Sequence, residues 1–197
     1  IWHNARTLVQ RLAVRGISVT GVTKATLGSY EIANTLLEAG VDTLGDSRIE
    51  NIEGMHRADV RAPMRLIRAP MLSQADQAVA HADITFNTEL DVISELSAAA
   101  KRAGRTHGVV LMVELGDLRE GIMPGDLEAT VRAMLRFPNL ELKGIGTNLA
   151  CQSGVSPDQD NMRVLSSLAT SLEATFGQSV DIVSGGNSAN LRWALDS

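Results

Sequence analysis

Lys24 closes the run Ile17-Ser18-Val19-Thr20-Gly21-Val22-Thr23-Lys24-Ala25. It is the one cation of an apolar, β-branched segment that leads into a Gly-containing turn. A lysine at the C-terminal tip of a barrel strand can form a covalent link to a carbonyl or to an aldehyde cofactor. A lysine that simply leaves a strand into solvent looks the same. A second chemical run is Ser184-Gly185-Gly186-Asn187-Ser188-Ala189-Asn190-Leu191. Two glycines let the backbone approach a ligand closely. A Ser or Asn at a helix start caps it, and the free N–H groups there attract anions such as phosphate. The bland counterpart is a tight turn before a capped helix.

Two further runs carry polar groups. Glu114-Leu115-Gly116-Asp117-Leu118-Arg119-Glu120-Gly121-Ile122 sets one arginine among three acids. Arg119 could take a substrate carboxylate bidentately, or it could close an internal salt bridge. Gly144-Ile145-Gly146-Thr147-Asn148-Leu149-Ala150-Cys151 offers Asn148, which both donates and accepts hydrogen bonds. Cys151 has no activating neighbour in sequence and reads as an inert thiol. In Gly45-Asp46-Ser47-Arg48, Asp46 or Ser47 is expected to cap the next helix. Asp46, Asp117 and Glu120 could also offer an acidic partner to a cationic side chain. His3, His56, His81 and His107 are scattered without metal-ligand spacing, so no metal is expected. There is no Walker-type loop and no full dinucleotide fingerprint.

Strand-type and helix-type segments alternate along the whole chain and must position these residues. The expected strands are 18–24, 43–45, 64–69, 84–87, 108–115, 140–147 and 180–184. The expected helices are 30–39, 48–57, 74–81, 90–103, 126–136, 158–175 and 189–195, with another near the start. This rhythm implies a parallel sheet with crossover helices. Polar residues at nearly every strand tip favour an α/β fold of the TIM (β/α)8-barrel type over an open sheet, because a barrel gathers the tips at one mouth. Both ends read as cut, with the barrel truncated after the seventh strand–helix unit.

The 197 residues suffice for one substantial core. The charge of −5 leaves no basic stripe, which argues against nucleic acid as a partner. No apolar run is long enough for a membrane helix, and no signal-peptide pattern is visible. A single cysteine excludes an intrachain disulfide framework and suits a reducing, cytoplasmic compartment.

In order and spacing, Val22-Thr23-Lys24-Ala25 and the four polar runs resemble the alanine racemase-like family of fold-type III pyridoxal phosphate (PLP) enzymes. The alanine/ornithine racemase branch is the nearest. The resemblance covers essentially the whole chain. It implies a PLP-binding barrel domain over residues 1–197, taken from a longer, homodimeric chain with a C-terminal β domain. It implies that Lys24 carries PLP and acts as one catalytic base on a small amino acid. Ser188, with Ser184, Gly185, Gly186 and Asn187, would hold the phosphate. Arg119 would stand near the substrate carboxylate. Asn148 stands where alanine racemases carry a histidine behind the pyridine ring, a departure that favours the ornithine-type branch. Tyr30 is near the place of the family's phosphate-binding tyrosine, at a different spacing. The function implied is racemisation of ornithine, alanine or a similar amino acid. Racemisation needs a base on each face of Cα, and Tyr30, beside Lys24 in sequence, is a poor second base. Alternatives are a non-catalytic PLP-homeostasis protein, a D-amino acid aldolase or decarboxylase, a Schiff-base aldolase without PLP, and a structural module.

Overall fold

The computed structural model describes residues 1–150 and 154–196. Cys151 therefore lies outside the described residues. The chain divides into two compact units, Ile1–Thr85 and Phe86–Ser197.

The first unit contains α1 (Trp2–Ala13), β1 (Thr20–Val22), α2 (Tyr30–Glu38), β2 (Thr43–Asp46), α3 (Ile49–Arg57), β3 (Met64–Leu66) and α4 (Ala75–His81). It ends within β4 (Ile84–Asn87). Its strands pair in parallel in chain order, with Val22 opposite Gly45 and Gly45 opposite Arg65. Gly21 faces Leu36 of α2 and Val41, whereas Gly45 faces Thr20 and Ile67 on the other side of the sheet. Leu44, Ile49, Ile52, Met55, Met64, Ala78 and Val79 fill the space between strands and helices and are all fully buried. Ser29 caps α2 by accepting the Ile32 amide at 3.2 Å.

The second unit contains α5 (Leu90–Arg102), β5 (His107–Met112), α6 (Leu127–Met134), β6 (Leu140–Thr147), α7 (Gln159–Phe176), β7 (Ile182–Gly185) and α8 (Leu191–Asp196). Strands β5, β6 and β7 are again parallel and in chain order. Val109, Leu111, Ile145, Leu127, Val131, Leu165 and Leu172 belong to one buried cluster. Gly144 is needed for its lack of a side chain: a Cβ there would lie 1.9 Å from the Ile182 carbonyl oxygen. Asp158 opens α7 with a capping box, accepting the Asp160 and Asn161 amides at 2.9 Å.

Among the described residues each of the seven strands is followed by a helix, and the fold class is the α/β, (β/α)8-barrel type expected from the sequence. Several strands end earlier than their apolar runs suggest. Strand β1 stops at Val22 because Lys24–Thr26 winds into a 3-10 turn. Strand β5 stops at Met112, and Val113 then pairs with Ile122 across a loop.

Candidate functional site

In the first unit, Lys24 is the first residue of the 3-10 turn that follows β1, and its side chain is exposed. The residue before it is anchored on all sides. Thr23 is fully buried. Its amide donates to the Gly45 carbonyl at 2.9 Å, and its hydroxyl donates to Asp46 Oδ2 at 2.7 Å. Asp46, also fully buried, accepts the Arg48 amide and Asn51 Nδ2 on Oδ1, each at 3.0 Å. Asp46 therefore is not the N-cap of α3, a position that Arg48 takes without a side-chain cap. The reason is register: Val22 opposite Gly45 sets Thr23 beside Asp46, and a buried carboxyl satisfies that hydroxyl first.

Tyr30 begins α2 and is half exposed. Its hydroxyl bonds the Glu31 carboxylate, which raises the phenol pKa above its ordinary value and keeps the hydroxyl neutral. Arg65, on β3, reaches back to donate to Thr20 Oγ1 at 2.9 Å. Burial lowers its pKa, partly offset by the charge of Asp42.

In the second unit, the loop after β5 is folded around Glu114. One of its carboxylate oxygens accepts the Gly116 amide at 2.5 Å and the Leu118 amide at 3.2 Å. Arg119 then pairs with Glu120 through Nε and through Nη2, the latter at 2.6 Å. Asn148, one residue past β6, donates Nδ2 to the same Glu120 carboxylate at 2.7 Å. The internal salt bridge is thus the arrangement present at Arg119. The loop after β7 is tied in by Asn187, which donates to the Leu149 carbonyl at 2.7 Å and accepts the Ala189 amide at 2.8 Å. Ser188 opens a short 3-10 turn and is exposed, and Gly186 has φ +95°. Asn187, not Ser188, is the cap.

The structure thus links Arg119, Glu120 and Asn148 in one network, and ties the Ser184–Ser188 loop to the chain just past Asn148. It commits the three acids considered for a cationic substrate group elsewhere. Asp46 and Asp117 are buried, and Glu120 is held by Arg119 and Asn148. Thr23, Asn51 and the clamping role of Glu120 were not legible in the sequence. The available hint was a threonine beside the candidate lysine, with an aspartate at the tip of the next parallel strand. In the first unit the exposed primary amine of Lys24 suits an aldehyde. In the second, taken by itself, Ser188 presents an exposed hydroxyl near Gly186, where even a Cβ would meet nothing closer than 3.8 Å, which suits an anion. Among the described residues no group of three or more His, Cys, Asp or Glu could hold a metal ion. None of the described helices is long and apolar enough to cross a membrane.

The family model for the alanine racemase N-terminal domain matches residues 1–197. The chain belongs to that family. It is 37% identical to an ornithine racemase of Acetoanaerobium sticklandii over 94% of its length and 52% of that protein. It is 36% identical to a lysine racemase of Thermotoga maritima over 100% of its length and 54% of that protein. It therefore spans about half the length of these curated relatives. The structure of PipY from Synechococcus elongatus PCC7942 with PLP bound superposes with a TM-score of 0.76 at 19% identity, covering 96% of this chain and 93% of that one. In this alanine racemase-like domain, the family resemblance carried by the strand-tip runs and the α/β fold agree.

Proposed function

We propose that this chain is the PLP-carrying part of an amino-acid racemase that acts on a small basic amino acid, ornithine or lysine foremost. The observation that carries the reading is the exposed Lys24 on a rigid turn directly after β1, in a chain more than one-third identical to ornithine and lysine racemases.

Bound PLP would act as an electron sink that makes the hydrogen on the substrate Cα acidic. The residues of this chain do the rest. Lys24 Nζ would hold the cofactor through its aldehyde and would take or return the proton on one face of Cα. Ser188 and the backbone of Gly185 and Gly186 would hold the phosphate, with Ser184 and Asn187 shaping the loop. Asn148, whose amide is fixed by Glu120, would contact the cofactor ring. Arg119, paired with Glu120 through Nε and Nη2, would exchange that carboxylate for the carboxylate of the substrate. The proton on the opposite face requires a second group, which this reading assigns to the longer parent protein.

The test uses the full-length protein. Borohydride reduction in the presence of PLP should fix one pyridoxyl label on Lys24, and Lys24→Ala should carry none. Chiral chromatography should show racemisation of L-ornithine or L-lysine by the parent, with at least a thousandfold loss in the variant, on the order expected for removing a residue that is both nucleophile and base. A label elsewhere, or undiminished turnover in Lys24→Ala, would sink the reading.

A further inference from the structure

We propose that Thr23, through Asp46, is a positioning residue that sets the Lys24 turn in its reactive place before any cofactor arrives. The inference rests on the reading of Lys24 as the cofactor-bearing residue.

The polar groups of Thr23 are all engaged. Its amide and hydroxyl bond Gly45 and Asp46, as described above. Its carbonyl accepts the Thr26 amide and the Thr26 hydroxyl, each at 2.9 Å, and the Gly28 amide at 3.2 Å. One residue therefore anchors both the entry and the exit of the four-residue loop 24–27. Asp46 ties that anchor to α3 through the Arg48 amide and Asn51. Asn51 in turn packs under Gly28, where a Cβ would fall 2.7 Å from the Asn51 Cβ. The contacts close a ring: Thr23, Asp46, Asn51, Gly28 and back to the Thr23 carbonyl. Within the ring, Leu27 is held at φ +53° with its side chain exposed. The strained backbone is kept by this surround and by no packing of its own side chain.

A lysine side chain alone has large rotamer freedom, so the position of its Cα is what the fold can control. Near-attack geometry is sensitive to displacements of about 1 Å, which can cost on the order of a hundredfold. Thr23→Val keeps the volume and removes only the hydroxyl. It leaves Asp46 Oδ2 buried without that donor and removes the side-chain link from the turn to Asp46, while the backbone bond from residue 23 to Gly45 remains.

The experiment uses the full-length protein, with PLP as the probe. In Thr23→Val the PLP concentration that half-saturates borohydride-fixed label on Lys24 should rise about 10- to 100-fold. Without PLP, hydrogen exchange of the amides in 24–28 should accelerate by about tenfold or more, the equivalent of losing one hydrogen bond to a buried charged group. Thr23→Ser should restore both readouts, since it returns the hydroxyl without the methyl. Thr23→Ala, which adds no bulk, should move both in the same direction if the valine variant folds poorly. Unchanged half-saturation and exchange in Thr23→Val or Thr23→Ala overturns the inference, as does failure of Thr23→Ser to rescue. An unmutated protein that takes no label on Lys24 overturns the cofactor reading, and the inference with it. The two failures are thus distinguishable.

Discussion

The turn around Lys24 and the loop around Arg119 each hang a cation beyond the end of a parallel strand, but they are anchored by different means. The Lys24 turn is held from below by Thr23 and Asp46, both fully buried, through hydrogen bonds that water does not reach. The Arg119 loop is held by carboxylates that water does reach: the side chains of Arg119 and Glu120 are 31% and 34% exposed. Buried hydrogen bonds are strengthened by low dielectric and are costly to leave half-made, whereas part-exposed ion pairs contribute little and yield easily. A residue that must be in place before a ligand arrives is served by the first arrangement. A residue that must exchange one carboxylate for another, as Arg119 would on meeting a substrate, is served by the second.

Glycine substitutions break the comparison most sharply. Gly28 and Gly116 both hold positive φ, at +71° and +117°. A Cβ at Gly28 would collide with Asn51 at 2.7 Å, while one at Gly116 would make only ordinary contact with Val155 at 3.5 Å. Gly28→Ala should therefore lose about 2–5 kcal/mol of stability, from backbone strain plus overpacking. Gly116→Ala should lose about 1–2 kcal/mol, from strain alone. Urea unfolding of both variants measures the gap. Equal losses would show that the Lys24 turn is no more tightly seated than the Arg119 loop.

The same contrast separates what the sequence reveals from what it hides. Strands 84–87 and 140–147 were readable to the residue, because each is a compact run bounded by turn or polar residues. Lys24 was readable as a strand-tip cation because nothing else in its run is charged. The length of β1 was not, since Ser18 and Val19 are as β-prone as the residues that pair. The partnership of Thr23 with Asp46 was hidden for a different reason. It arises only when β1 and β2 pair with Val22 opposite Gly45, and neither run specifies that register alone. At Arg119 the sequence supplied three acids within a few residues and no means to choose among them. The fold chooses by giving Glu114 to the loop amides and Glu120 to Arg119 and Asn148.

The smallest expected effect is the one that tests the second half of the comparison. Glu120→Gln keeps an acceptor for Asn148 or Arg119 and removes the charge. The stability lost should be below about 1 kcal/mol, as for other part-exposed ion pairs. The useful readout is therefore its response to salt. At roughly 1 M salt the screening length falls to about 3 Å, so the pair between Arg119 and Glu120 contributes less and the unmutated protein should approach the variant. Thr23→Val, which removes a buried hydrogen bond, should keep its full deficit at both salt concentrations. If the Glu120→Gln deficit is instead independent of salt, the carboxylate acts mainly as a neutral acceptor that fixes Asn148, and the Arg119 loop is a second rigid anchor rather than an adjustable one.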